Sequence, residues 1–175
     1  SGVAAVDQQW GGLAAGHAYL LTGRAGSGRS ALALQTAQAA LDEGLSCLLL
    51  SPREPNALVA IGHEVDVDLP AAHGTGRLRL LRMPAAADLA ARGPAGLDKS
   101  YRDLIGLVRT DRPGRVVVED FTPLVQFDTF ARFEAAFDTL AAALAGLDAT
   151  FVVGLGEPAN DASQRILDVG AYMAH

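Results

Sequence analysis

Residues 23–30 read GRAGSGRS, with glycines at positions 23, 26 and 28 followed directly by Arg29 and Ser30. They fit the phosphate-binding pattern GxxxxGK[ST] at every defined position except one, where Arg29 stands in place of lysine. The glycines remove side chains so that backbone N–H groups can turn toward a polyphosphate, and Ser30 supplies a hydroxyl for Mg²⁺. The predicted nucleotide-binding residues are Gly23, Arg24, Ala25, Gly26, Ser27, Gly28, Arg29 and Ser30.

Arg29 bears directly on whether this loop still binds a nucleotide. A guanidinium keeps the positive charge of lysine, but it is a wide planar fork in a site shaped for a compact ammonium. A glycine-rich turn between a strand and a helix can also be no more than a turn. Retained nucleotide binding and loss of the ligand therefore both stay open.

Three carboxylates are candidates for the other parts of a phosphate site. Glu119 and Asp120 directly follow an apolar run at residues 116–118, where a carboxylate can hold Mg²⁺ through water. Glu119 ranks first because it is adjacent to that run. Glu54, in the segment SPREP, is a candidate general base that would orient an attacking water. For all three the alternative is an ordinary solvated acid at the end of a strand.

The elements that must position these residues alternate along the chain. We predict strands at 17–22, 45–51, 77–83, 115–119 and 150–155, and helices at 30–43, 57–65, 101–109 and 130–145. Such alternation predicts a parallel sheet covered by helices on both faces, with ligands at the carboxyl ends of the strands. We expect a mobile surface loop or frayed helix at 84–99 and a loop at 154–163.

Length and charge limit the class of protein. The 175 residues suit a single domain, 1–175, with an N-terminal segment at 3–16 leading to the first strand. A net charge of −6 argues against a nucleic-acid-binding surface. No apolar run approaches the length of a membrane span, and no secretory pattern opens the chain. We therefore expect a soluble, cytoplasmic protein without membrane insertion.

The remaining chemistry-bearing side chains predict no further site. Cys47 is the only cysteine and lies in a predicted buried strand, which is typical of a core residue. The four histidines, at positions 17, 63, 73 and 175, show no metal-ligand spacing with one another or with Cys47.

Several motifs together resemble the RecA/KaiC group of P-loop ATPases. The segment WGGLAAGH at 10–17 resembles the GGLPxG lead-in to the group's first strand, and GRAGSGRS resembles its phosphate loop. SPREP at 51–55 lies where the group has a strand ending in Ser/Thr-x-Glu-Glu. DLPAAHGTGRLRLLRMP is similar to its D-L-x(n)-G-x-L stretch, and VVVEDFTPL to its VVIDSxTxL Walker B strand. The resemblance extends from about residue 10 to residue 155.

This resemblance implies a RecA-like three-layer αβα sandwich that binds ATP with Mg²⁺ and assembles with further copies or with a partner protein. Three functional positions depart from the pattern: Arg29 replaces lysine, Arg53 lies where the catalytic glutamate is expected, and Glu119 replaces an aspartate. Hydrolysis should then be slow or absent, giving at most a weak ATPase. The open alternatives are a regulatory ATP-binding module, a nucleotide-free scaffold, and an active ATPase that uses Glu54.

A weaker resemblance, in spacing more than in motifs, is to the degenerate RecA-like N-terminal domain of BcsE-type regulators of bacterial cellulose secretion. The segments RLRLLRMP, GEPANDASQR and the following Ile166, Leu167 and Asp168 lie at similar intervals there. This resemblance implies a pseudo-ATPase that serves as an assembly module.

Overall fold

The computed structural model describes residues 1–125, 130–144 and 146–156. Its strands are β1 (Ala18–Gly23), β2 (Cys47–Ser51), β3 (Leu78–Arg82), β4 (Arg115–Val118) and β5 (Thr150–Gly156). Its helices are α1 (Ala4–Trp10), α2 (Arg29–Asp42), α3 (Pro55–Glu64), α4 (Leu69–Gly74), α5 (Ala86–Asp111) and α6 (Phe130–Leu144), with a 3-10 turn at Thr122–Val125. All five predicted strands are present, each within two residues of its expected bounds.

The strands form one parallel sheet in the order β1-β5-β4-β2-β3. Every residue of β2 and β4 is buried, as their unbroken apolar runs predicted for strands covered on both faces. In the register of the sheet, Leu50 of β2 pairs with Val118 of β4, which in turn pairs with Val153 of β5. The carboxyl ends of these strands therefore meet at one edge of the sheet.

Two helical layers cover the sheet. Helices α2, α3 and α4 pack on one face around a core that includes Leu34, Leu49 and Val117. Helices α5 and α6, with the 3-10 turn, pack on the other face around Leu50, Val118 and Phe151. The predicted RecA-like three-layer αβα sandwich is thereby confirmed.

The sequence predicted either a mobile loop or a frayed helix at 84–99. The structure has a helix over most of this stretch, so the loop is wrong. Helix α5 begins at Ala86, and the Asp88 carboxylate accepts a hydrogen bond of 3.1 Å from the N–H of Ala85. Alanine is the strongest helix former, and Leu89 and Leu97 bury apolar side chains against the core. The helix breaks once, at Gly93 with φ 61° and ψ −165°, immediately before Pro94.

Two short helices had no predicted counterpart. Helix α1 lies within the N-terminal segment 3–16. Helix α4 follows Asp68, whose carboxylate accepts a hydrogen bond of 3.0 Å from the N–H of Ala71, while Pro70 fits the first turn. Residues 157–163 of the predicted loop, residue 145 of the predicted last helix, and Ile166, Leu167 and Asp168 lie outside the described residues. Within the described part of the chain, no helix is both long enough and apolar enough to cross a bilayer.

Candidate functional site

The loop at residues 24–28 connects the end of β1 to the start of α2 and is exposed. The N–H of Ser27 donates 3.1 Å to the carbonyl of Arg24, which closes the turn. Gly28 precedes the helix with a φ of 85°, a conformation that favours glycine, and no side chain caps the helix start. The first N–H groups of an α-helix have no partner inside it. This strand–loop–helix unit therefore offers an anion uncapped backbone donors and the positive end of the helix dipole.

Arg29 is held by groups of the protein around the loop. Its side chain is only 11% exposed, and Nη1 donates 2.7 Å to the carbonyl of Gly23 at the end of β1. Nη2 lies 3.9 Å from Oδ1 of Asp120, and the buried Nε has no hydrogen-bond partner among the described residues. The charge of Arg29 is thus already shared with a backbone carbonyl and a carboxylate.

Glu119 is the centre of a closed polar network at the end of β4. Its side chain is 0% exposed. Oε1 accepts hydrogen bonds from the hydroxyl of Ser30 and from Nε of Arg53, the latter at 2.9 Å. Oε2 accepts one from the hydroxyl of Ser51 at 2.8 Å. The Ser51 hydroxyl also accepts 3.0 Å from the backbone N–H of Arg53, so β2, β4 and α2 are joined at this carboxylate.

Asp120 has a different role from its neighbour. Oδ1 accepts from the N–H and the hydroxyl of Thr122, at 3.0 and 2.5 Å. The Thr122 hydroxyl oxygen in turn accepts 2.9 Å from the N–H of Gly156. These bonds join the segment after β4 to the end of β5. A Cβ at Gly154 would lie 2.1 Å from the carbonyl oxygen of Glu119, so this junction requires glycine.

Glu54, the candidate base, lies outside the Glu119 network. It precedes α3, its side chain is 66% exposed, and its carboxylate forms an ion pair of 2.9 Å with Arg82. No described hydrogen bond or ion pair connects it to Ser30 or Glu119.

The side chains around Ser30 bear on the expected Mg²⁺ site. Mg²⁺ requires oxygen ligands in near-octahedral geometry and keeps several waters. Ser30 and Glu119 carry such oxygens, but Arg53 already pairs with the carboxylate oxygen to which Ser30 donates, which puts a positive charge beside the position of the ion. No group of three or more His, Cys, Asp or Glu side chains in the described residues could hold a metal ion. As arranged, these residues do not fit a Mg²⁺ site.

The structure therefore brings together Ser30, Glu119 and Arg53 and separates Glu54 from them. Ser51 and Thr122 were not identified as site residues from the sequence. The available signals were weak: a serine ending an apolar strand, and a threonine two positions after an aspartate, which is a common turn pattern.

Comparisons with known proteins agree with this architecture. The sequence matches the family described as "ATPase: KaiC" over residues 1–175. A comparison with curated proteins gives no match. Among solved structures, the fold is similar to that of the KaiC-like protein PH0186 from the hyperthermophilic archaeon Pyrococcus horikoshii OT3, with a TM-score of 0.71 and 17% identity. The match covers 93% of this chain and 73% of that one.

At that identity the structural likeness supports the fold, while the family match spans the whole sequence. Both agree with the phosphate-loop motif and with the parallel sheet on which the loop is built. The chain therefore belongs to the KaiC ATPase family of RecA-like P-loop proteins.

Proposed function

We propose that this chain is a nucleotide-binding regulatory or assembly module, in which ATP acts mainly as a conformational ligand and hydrolysis is slow or absent. One observation carries the proposal. The loop at residues 23–30 keeps an uncapped helix start, while the side chains beside it form a closed network around Glu119. The geometry thus favours anion binding more than it favours turnover.

Phosphoryl transfer depends on positioning and electrostatics, with a cation on the phosphates, a metal ion and an oriented water. Here Arg29 donates to Gly23, Arg53 is paired with Glu119, and the carboxylate of Glu54 is paired with Arg82. Each group that could perform a catalytic step is engaged elsewhere. This arrangement supports a site that binds without efficient hydrolysis.

A module of this kind acts by favouring one conformation over another, since a ligand shifts an equilibrium by its difference in affinity for the two states. The readout would be association with further copies of the chain or with a partner protein in the cytoplasm. The negative net charge supports a protein partner over a nucleic acid.

The second candidate is a scaffold that has kept the fold and lost the ligand, similar to the BcsE-type modules of cellulose secretion. The specific observation in its favour is that both arginines of the site already have partners within the protein. A bound nucleotide would then neutralise no positive charge that the protein leaves unpaired.

Isothermal titration with ATP, with and without Mg²⁺, separates the two candidates. We expect binding that is lost in Gly28→Asp, because a carboxylate would stand in the phosphate cradle. Gly44→Asp is the matched control: Gly44 has a φ of 82°, close to the 85° of Gly28, and lies in open space at the opposite end of α2. No heat in either buffer would overturn the module and leave the scaffold. Equal ATP affinity in folded Gly28→Asp would place the ligand elsewhere.

A further inference from the structure

We infer that Arg53 replaces the divalent cation of this site, so that nucleoside polyphosphates bind here without Mg²⁺. The inference rests on the proposed function and specifies the form of the ligand: the free polyphosphate anion, not its metal complex. It comes from the mismatch between the expected Mg²⁺ site and the side chains found there.

Arg53 lies beside the position that the metal ion would take. A metal ion at this site would contact Ser30 directly and the carboxylate that ends β4 through water. Arg53 Nε lies 2.9 Å from Glu119 Oε1, the same oxygen that accepts from the Ser30 hydroxyl. The guanidinium therefore stands within one hydrogen bond of the atoms that would surround the metal.

Arg53 also has N–H donors that it can offer to a phosphate on the loop. Only its Nε and its backbone N–H make hydrogen bonds within the described residues. The side chain is 44% exposed, and the guanidinium carries further N–H groups on its two terminal nitrogens. A guanidinium suits bidentate binding of phosphate oxygens. Arg53 can thus bridge Glu119 and a phosphate, the bridge a Mg²⁺ ion would otherwise form.

Mg²⁺ would meet an electrostatic obstacle at this site. Entry of the ion would place a divalent charge beside the Arg53 guanidinium, which pairs with Glu119 at 2.9 Å. Like charges at such distances disfavour each other. Both oxygens of Glu119 are already hydrogen-bonded, Oε2 to Ser51 at 2.8 Å. Because Arg53 also balances its charge, Glu119 offers Mg²⁺ little electrostatic attraction.

The test is titration calorimetry of ATP binding to wild type, Arg53→Gln and Arg79→Gln, each in millimolar Mg²⁺ and in EDTA. Arg79 is the matched control. It is a similarly exposed arginine on β3, and its side chain pairs with Asp111 at 2.5 Å. In wild type and Arg79→Gln we expect the dissociation constants in the two buffers to agree within about threefold, well under 1.4 kcal/mol.

In Arg53→Gln the cation of the site is gone, and the negative charge of Glu119, no longer balanced by a guanidinium, favours a metal ion. We expect ATP to bind this variant at least about tenfold more weakly in EDTA than in Mg²⁺, a difference of about 1.4 kcal/mol. Thermal unfolding without nucleotide verifies that each variant is folded.

The possible outcomes separate this inference from the proposed function. Wild-type binding that requires Mg²⁺ overturns the inference and leaves the proposed function intact. Metal-independent binding that Arg53→Gln does not alter overturns the role of Arg53. Absence of binding in both buffers overturns the proposed function and the inference together.

Discussion

Glu119 determines the chemistry of the site because of its length as well as its charge. Glutamate has one methylene more than the aspartate that the RecA/KaiC group has at the end of this strand. From the end of β4 its carboxylate reaches the Ser30 hydroxyl directly, in a position fully shielded from water. A buried carboxylate needs a partner charge or several donors. Arg53 provides the charge, and Ser30 and Ser51 provide the donors.

Arg53→Gln should therefore lower the free energy of unfolding, because it leaves Glu119 buried without its positive partner. Removal of a hydrogen-bonding partner from a buried charged group costs about 1–3 kcal/mol. Arg79→Gln removes an exposed ion pair and should cost less than about 1 kcal/mol. Urea unfolding of both variants measures the difference. Equal losses would mean that the Arg53–Glu119 pair contributes no more than a surface contact.

Arg29→Lys alone should leave hydrolysis far below the order of 1–100 s⁻¹ typical of efficient phosphoryl-transfer enzymes. The substitution restores a compact cation on the loop, but Arg53 still neutralises Glu119, and Glu54 still pairs with Arg82. Single-turnover assays at equal nucleotide occupancy measure the rate, with wild type as the reference. Full activation by Arg29→Lys would show that the other two positions are not limiting.

At the scale of elements, the junction of β4 and β5 fixes the distance between Glu119 and the phosphate loop. The N–H of Phe121 donates 2.7 Å to the carbonyl of Gly154, and Thr122 connects Asp120 to Gly156. The two strand ends are therefore locked together directly behind the site. The two strands can approach each other this closely because Gly154 has no side chain.

Gly154→Ala should destabilise the protein by about 2 kcal/mol or more, because the new methyl group would overlap a backbone oxygen that cannot move independently. The matched control is Gly106→Ala, at an exposed helical position in α5 with open space around it. That change should stabilise by about 0.5–1 kcal/mol, since alanine favours helix over glycine. Chemical denaturation of the two variants gives the comparison. A neutral Gly154→Ala would show that β4 and β5 can separate without cost.

The strands and the loop were predictable because local sequence determines them. Apolar runs such as residues 116–118 form strands buried on both faces, and the glycine pattern of residues 23–30 forms the strand-to-helix turn. Helix α4 is too short for a periodic signal, and the alanine-rich start of α5 resembles a loop because of Gly93 and Pro94. The helix propensity of alanine and the burial of Leu89 stabilise this helix more than the break at Gly93 destabilises it.

The partners of the site residues were not predictable in the same way. Glu119 could be identified from its place after a strand, but its bonds to Arg53, Ser30 and Ser51 join residues 66 to 89 positions apart. The adjacent side chains of Arg53 and Glu54 pair with different residues, Glu119 on one side and Arg82 on the other. The three-dimensional arrangement of β2, β3 and β4 determines these two pairings. Sequence spacing contains no signal for that choice.

At the scale of the whole molecule, Cys47 lies deep in the sheet, 1% exposed. Burial raises the pKa of its thiol from 9.0 to about 12, although nearby Arg115 partly opposes the shift. The folded protein keeps this proton above pH 9, whereas the unfolded chain releases it. Unfolding then releases a proton, and stability falls as pH rises from about 9 toward 12.

Cys47→Ala should remove the part of the stability loss at alkaline pH that comes from the Cys47 thiol. Between about pH 8 and pH 10, the free energy of unfolding should fall by about 1 kcal/mol more in wild type than in the variant. Parallel urea titrations at the two pH values measure it, and other ionisable groups cancel in the comparison. Identical pH dependence would show that the thiol ionises equally well in the folded state.

Strand β3 ends the sheet on one side, since β2 is its only partner among the described residues. Open strand edges can recruit strands of other molecules and start aggregation. Arg79 and Arg82 are exposed on this strand and are held by Asp111 and Glu54. Both arginines would have to give up charge partners and water before a foreign strand could pair here. The same two ion pairs thus oppose edge-to-edge pairing of this strand with other molecules.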